Sequence, residues 1–469
     1  MIANFSSCES SQHHQPLTVL PYSTAVAGSI ISNRTHRDRG IGRALGIAGL
    51  GTVGAGVVDV LQQNAEILAK HCPRPIVVTA VSARDKSKDR GLKLTGVDWV
   101  DDAAKLADHP QVDVVVEVIG GSEGKAKELV EKAIANKKHV VTANKALLAH
   151  HGTALALAAE RNGVGLAYEA AVAGGIPVIK AMREGLAANR ITQVYGILNG
   201  TCNYILTQMR ETGREFADVL GEAQKLGYAE ADPSFDVDGV DAAHKLSILT
   251  SVAFGVAVNF AGVRISGIRN VSAMDIAYAD ELGYRIKLLG IGRQTPHGIE
   301  QRVHACMVPA ASTIAKVDGV YNAVVTSGNF VGENISIGRG AGRGPTASAI
   351  VADLMDLARG FILPAFSAPA ESLEPAAQAP VGLHAGSYYL RLMVVDKPGV
   401  VADIAGVMRD ENVSLESMIQ RGRSPNDPVP LVFTTHETTE AAVGRVVKRL
   451  SDIKSVLEPA HVLPIETLS

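Results

Sequence analysis

Five carboxylates, Glu230, Asp232, Asp236, Asp238 and Asp241, fall within twelve residues, and Lys245 follows one helical turn after the last of them. A lysine flanked by carboxylates in a cleft serves as a general acid or base, because burial lowers the pKa of its ammonium while neighbouring negative charge raises it. The same carboxylates suit the ammonium group of an amino-acid substrate. Two other readings compete for these residues. Ser234, Asp236, Asp238 and Gly239 match positions 1, 3, 5 and 6 of a calcium-binding EF-hand loop, but position 12, which requires a bidentate glutamate, is Lys245. Asp241 and Lys245 also have the spacing of an exposed helical ion pair worth only about 0.3 kcal/mol. Against that, Lys245 shares its helix flank with Leu249, which turns it inward.

A second chemical signal is Gly49-Leu50-Gly51-Thr52-Val53-Gly54, placed between a short β-branched run and a helical stretch. In that setting Gly49 allows a tight turn, Gly51 lets the backbone approach a pyrophosphate, and Gly54 lets the helix pack on the sheet. The phosphate sits at the helix start, over Thr52 and Val53. NAD-preferring folds usually end their second strand on an acidic side chain, whereas here Val81-Ser82 leads into Ala83-Arg84-Asp85-Lys86-Ser87-Lys88. Arg84, helped by Lys86 or Lys88, is suited to a 2′-phosphate, so NADP is favoured; Asp85 within reach of a ribose keeps NAD possible. Ile119-Gly120-Gly121 and Thr142-Ala143-Asn144-Lys145 close the next two strands, where open α/β sheets bind ligands. Gly120, Thr142 and Lys145 are thereby expected to line the nicotinamide cleft, with Lys145 able to orient a substrate oxygen.

The elements that position these groups follow from periodicity. Strands are expected at 45–48, 76–81, 112–118, 140–142 and 165–168, alternating with helices, which implies parallel βαβ units over residues 41–168. Residues 169–360 read as an α+β substrate domain, with a helix at 345–359, opened by Pro345, packing back on the first domain. Residues 361–386, rich in Pro and Ala, read as a linker. Beyond them, residues 387–469 alternate as βαββαβ: strand 388–395, helix 400–409, strands 414–420 and 429–435, helix 439–450, strand 456–463. The fold class is therefore α/β: a Rossmann-type doubly wound parallel sheet, an α+β substrate and dimerisation domain, and a small C-terminal split-βαβ module. Residues 1–40 hold several arginines and serines but no hydrophobic periodicity, and read as a disordered extension. They make a poor secretory signal and weakly resemble a transit peptide; a mis-assigned start codon accounts for them equally well.

At 469 residues the chain is too long for one core. A hydrophobic content of 46%, a charged content of 20% and mean hydropathy of +0.14 describe an ordinary globular protein, and no apolar run reaches membrane-spanning length. A net charge of -3 with interspersed signs provides no basic face for nucleic acid. The four cysteines, Cys8, Cys72, Cys202 and Cys306, form no CxxC pair, which argues against a zinc cluster or disulfide framework and for a reducing, cytoplasmic setting.

Taken together, GLGTVGAG, VVTANKALLA, YEAAVAGGIPVI, ILNGTCNYIL, LGYAEADPSFDVDGVDAAHKLSIL and GRGAGRGPTASAIVADL resemble, in order, the homoserine dehydrogenase family over residues 44–360. The resemblance implies interconversion of L-homoserine and L-aspartate 4-semialdehyde, in threonine and methionine biosynthesis. It implies that Lys245 moves the proton of the substrate oxygen with Lys145 assisting, and that Glu230 and Asp241 bind the substrate with Asp236 in support. It further implies that Gly227 and Gly342 touch the cofactor, and that a sodium ion lies between Glu169 and the carbonyls of Val172, Gly174 and Ile176. The C-terminal module resembles an ACT domain, which implies an amino-acid effector, threonine, near residues 396–399, and a homo-oligomer, dimer or tetramer.

Two rivals remain open on the sequence. An acylating aldehyde dehydrogenase would use a cysteine nucleophile and a histidine base, with Cys202 and His244 as candidates, although no basic residue near Cys202 activates its thiol. A non-catalytic sensor on a dehydrogenase scaffold would have no need of Lys245 beside Asp241.

Overall fold

The computed structural model describes residues 43–72, 74–421 and 427–468; the expected N-terminal extension and Cys8 lie outside the described residues. Six strands, β1 (Arg43–Ala48), β2 (Ile76–Ser82), β3 (Asp98–Trp99), β4 (Val114–Glu117), β5 (His139–Thr142) and β6 (Leu166–Ala167), form one parallel sheet. Their order, β3-β2-β1-β4-β5-β6, is the doubly wound order, with its switch point between β1 and β4. Val114, Val115 and Val116 are fully buried, as parallel strands covered on both faces require. The two-residue β3 has no signal in the sequence, since Asp98-Trp99 shows neither alternation nor an apolar run.

Among the described residues, the second sheet has eleven strands. Its first part contains β7 (Ile191–Ile197), β8 (Arg264–Ile265), β9 (Tyr284–Thr295), β10 (Gly298–Pro309), β11 (Tyr321–Gly328) and β12 (Gly332–Arg339). The C-terminal part contains β13 (Ala385–Val394), β14 (Leu415–Gln420), β15 (Val429–Thr435), β16 (Thr438–Thr439) and β17 (His461–Ile465), with helices Val400–Asp410 and Glu440–Leu450. The last strand begins later than residue 456: Val456 keeps only an isolated bridge to Val394, and Pro459, lacking an N–H, interrupts the ladder.

The two parts join edge to edge. β17 pairs with β13 on one side and β10 on the other, and Glu466 N–H donates to the Met307 carbonyl at 2.9 Å. Ion pairs, each with one buried partner, cross the seam. Arg391 on β13 grips the fully buried Asp275 of helix Ala273–Glu281, and Arg302 on β10 bridges Glu300 and Glu440 at 2.5 and 2.8 Å.

Residues 361–386, read as a linker, lie along this assembly as a strap: Tyr168 Oη donates to the Ala365 carbonyl at 2.7 Å, Ile299 N–H to Ala377, and Phe366 is buried. Among the described residues, no helix is long and apolar enough to cross a membrane.

Candidate functional site

The Gly-rich turn runs from β1 into helix Thr52–Gln63. Gly49 has φ +104°, and a Cβ there would meet the Val118 carbonyl oxygen at 2.8 Å; one on Gly54 would meet the Gly49 carbonyl oxygen at 1.8 Å. A Cβ on Gly51 would meet nothing within 4 Å. The turn is therefore closed on the protein side and open at the helix start, beside Thr52 and Val53, where backbone N–H groups attract an anion.

Arg84 and Lys88 are exposed just beyond β2. Asp85, also exposed, accepts hydrogen bonds from the Ser87 amide and hydroxyl at 2.8 and 2.6 Å through Oδ1. Arg90, which sequence reasoning missed, ties this loop to the Gly-rich turn: its Nε donates to Leu50 O at 3.0 Å and its Nη2 to Asp85 O at 2.6 Å.

A second missed residue is Glu117, fully buried at the end of β4. One carboxylate oxygen accepts the amides of Ile119 and Gly120 at 2.8 and 3.0 Å, and the other accepts Thr142 Oγ1 at 2.6 Å. It thus stitches together the two strand ends that were expected to line the cleft. A lone acid inside the apolar run Val114–Glu117 was its sequence signal.

The lysines come from different helices. Lys145 is the first residue of helix Lys145–Arg161, held there by the Asn144 cap, whose Oδ1 accepts the Leu147 amide at 3.0 Å. Lys245 lies on helix Val240–Phe254, one turn after Asp241. Both converge on one buried carboxylate: Lys145 Nζ is 3.0 Å from Asp241 Oδ1 and Lys245 Nζ is 2.7 Å from Oδ2. Lys245 Nζ also donates to the Leu198 carbonyl at 2.7 Å, which leaves one of its ammonium N–H groups for another acceptor. Asn199 Nδ2 donates to Asp236 Oδ1 at 2.7 Å and to Asp241 Oδ2 at 2.8 Å. Its position, capping helix Gly200–Thr212, was visible as Asn-Gly-Thr before a helix; its contact with the carboxylates was not.

These contacts separate the ionisation of the groups. Burial pushes the Lys245 ammonium below its usual range and Lys145 pushes the same way, only partly offset by Asp241. Lys145 is also penalised by burial, but Asp241 more than offsets it and holds Lys145 above the ordinary lysine value. Burial disfavours the Asp241 anion, yet the two lysines keep its carboxyl below the usual carboxylate range. Asp236 is pushed up, first by burial and then by Asp241. The site thus presents one lysine poised to release a proton beside one that stays charged.

Other expected residues lie apart from this cluster. Glu230 is exposed and makes no ion pair among the described residues, and Gly227 sits on the same exposed loop with φ +75°. Gly342, φ +118°, precedes helix Arg343–Arg359, which crosses helix Thr52–Gln63 where a Cβ on Gly56 would meet Arg343 O at 2.7 Å. Glu169 is buried, its two carboxylate oxygens accepting the Ile179 and Lys180 amides at 2.9 Å each. The Val172–Ile176 turn lies so close to the Gly340 region that a Cβ on Gly174 would meet Gly340 O at 2.2 Å. Cys202 is fully buried, burial pushes its thiol far up, and its Sγ donates to Asp236 O at 3.2 Å; such a thiol is a packing group rather than a nucleophile. His244 packs on Phe260 with ring centroids 4.4 Å apart and makes no hydrogen bond through its buried Nδ1.

Comparison with known proteins identifies the family. Residues 49–169 match the family model for the NAD-binding domain of homoserine dehydrogenase, residues 177–355 the model for homoserine dehydrogenase itself, and residues 388–455 the ACT domain. The chain is 46% identical over 434 residues to homoserine dehydrogenase from Pseudomonas aeruginosa, covering 91% of this chain and 99% of that protein. It is also 46% identical over 432 residues to the Neisseria gonorrhoeae protein of that name, covering 90% and 98%. A crystal structure of a homoserine dehydrogenase from Thiobacillus denitrificans superposes with a TM-score of 0.86 at 44% identity, covering 91% of this chain and 99% of that one. A hyperthermophilic archaeal homoserine dehydrogenase solved in complex with NADPH aligns at 25% identity with a TM-score of 0.57, covering 69% and 100%.

Proposed function

The chain belongs to the homoserine dehydrogenase family, NAD-binding enzymes that interconvert L-homoserine and L-aspartate 4-semialdehyde, and we propose that Lys245 is the acid/base of that reaction here. The observation that carries this reading is the placement of Lys245 Nζ between Asp241 Oδ2 and Leu198 O, buried and with one N–H direction left over. In homoserine oxidation neutral Lys245 takes the hydroxyl proton as the C4 hydride leaves; in reduction it returns that proton to the aldehyde oxygen. The nicotinamide, when bound, accepts or supplies the hydride. Lys145, kept charged by Asp241, orients the substrate oxygen or carboxylate, while Glu230 and Asp241 bind the amino-acid substrate with Asp236 in support. The reading is tested by Lys245→Ala, expected to lower kcat for homoserine oxidation by about 10²–10⁴-fold; a folded variant with near-parental kcat would refute it.

Gly49, Gly51, Thr52, Val53 and Gly54 would hold the dinucleotide, with Gly120, Thr142, Gly227 and Gly342 as its further contacts, and the bound nicotinamide would supply the hydride chemistry. The open space at Gly51 supports this placement. Exposed Arg84 and Lys88 favour NADP, and exposed Asp85 keeps NAD possible.

The turn at Glu169 suits a sodium ion. Burial, with Asp353 adding to it, pushes the Glu169 carboxyl up to about 7, so an added cation is electrostatically welcome. Glu169 with the carbonyls of Val172, Gly174 and Ile176 makes an all-oxygen donor set. Residues 387–469 serve as a regulatory module that binds threonine near 396–399 and restrains a cytoplasmic homo-oligomer, dimer or tetramer, in threonine and methionine biosynthesis. The family model for an ACT domain supports the amino-acid part of that reading.

A further inference from the structure

We propose that Asn199 is a positioning residue of the dehydrogenase reaction, clamping Asp236 and Asp241 side by side as anions so that Asp241 keeps one oxygen on each lysine. The inference rests on the role given above to Lys245. Asn199 is buried, and its Oδ1 accepts the Cys202 amide at 2.8 Å as the cap of helix Gly200–Thr212. That cap sets the amide orientation: a flipped side chain would point its NH2 at the Cys202 N–H and its carbonyl at two carboxylates. The two N–H groups of Nδ2 are therefore committed to Asp236 Oδ1 at 2.7 Å and Asp241 Oδ2 at 2.8 Å.

Two carboxylates bridged by a single nitrogen repel each other, and without a donor between them they would tend to share a proton. Asn199 supplies that donor without adding charge. Its neighbour Leu198 gives its carbonyl to Lys245 Nζ, so this short turn after β7 fixes both the lysine and its counter-ion. A shared proton would leave less negative charge beside Lys245 and less for a substrate ammonium.

Asn199→Ser tests the assignment, because serine still caps a helix but is too short to bridge both carboxylates. Its kcat/KM for homoserine oxidation should fall by about 30-fold or more, mostly through KM, and the pH limb belonging to Lys245 should move about half a unit or more towards lower pH. Asn199→Asp, of the same size and also a capping residue, should add an ionisation absent from the parent profile, and it decides the matter if the serine variant does not fold. A merely structural role would lower the melting temperature and leave the profile's shape unchanged. Folded variants with the parental profile and kcat/KM within about threefold would overturn the inference. Lys245→Ala, measured alongside, separates the two readings: if it remains active the Lys245 role fails, and if it is inactive while both Asn199 variants keep the parental profile, only the Asn199 role fails.

Discussion

Lys145 and Lys245, one hundred residues apart and on different helices, hold the two oxygens of one buried carboxylate, at 3.0 and 2.7 Å. The shared counter-ion, Asp241, favours the charged form of both, but burial weighs more heavily on Lys245. Two lysines of one chemistry therefore differ in how firmly they hold their protons, a division on which the proposed roles rest.

This division has a pH signature. Because the Lys245 ammonium titrates below the ordinary lysine range, kcat/KM for oxidation should rise with pH through a limb lying below about 10.5. Asp241→Asn removes the negative partner, so the limb should move further down while kcat/KM drops about 10²-fold or more. A limb that stays put in the asparagine variant would exclude Lys245 as its source.

The glycines of the turn predict two opposite failures. Ala at position 51 has free space, so Gly51→Ala should fold with a melting temperature near the parent's and raise the KM of the nicotinamide cofactor about tenfold or more. Gly54→Ala drives its Cβ into the Gly49 carbonyl and should yield little folded protein. Dye-monitored melting with and without cofactor reads both.

Coenzyme choice should respond to the loop after β2. Arg84→Ser combined with Lys88→Ser removes two of the three exposed cations, leaving Lys86, and should raise KM for NADP about tenfold or more while leaving KM for NAD within about twofold. Parallel initial-rate measurements with the two coenzymes give the ratio, and an unchanged ratio would remove Arg84 and Lys88 from the site.

Buried His139 makes stability pH-dependent. Burial, aided by Arg43, lowers its pKa to about 4, while its Nδ1 accepts the Gly165 amide at 2.9 Å. The unfolded chain therefore binds the extra proton first: the stabilisation is present above about pH 6.5 and is lost as pH falls towards 4, at most about 3 kcal/mol. His139→Asn should flatten the dependence of the urea midpoint on pH across that window, and an equally steep slope would show that other groups dominate.

Severing the seam between the two parts of the large sheet should be costly. Asp275 is fully buried and accepts hydrogen bonds from Arg391 and Tyr389, so Asp275→Ala, which strands a partly buried guanidinium, should cost about 3 kcal/mol. Asp275→Ala with Arg391→Met should recover part of that loss in a double-mutant cycle.

Local signals in the chain were enough to announce several features. The Gly-x-Gly-x-x-Gly between β1 and its helix, the alternation of β-branched runs with helices, the acid-rich stretch before Lys245 and the βαββαβ order all rest on period, turn chemistry and short spacing, which neighbouring residues alone impose. What brings Lys145 against Asp241, and Asn199 between Asp236 and Asp241, is the crossing of separate helices over a sheet, and no local pattern encodes that distance. The same holds for Glu117, whose acid stood out in an apolar strand but whose partners, Gly120 and Thr142, belong to two strand ends. The proline- and alanine-rich segment looked like free linker because several of its anchors are its own backbone groups, such as Ala377 O for Ile299 N–H and Ala365 O for Tyr168 Oη, and backbone hydrogen bonds leave no mark on composition. Residue order thus settled which family the chain belongs to, while tertiary packing decided which lysine is pushed towards its neutral form, because desolvation and counter-ion distance exist only once the helices have met.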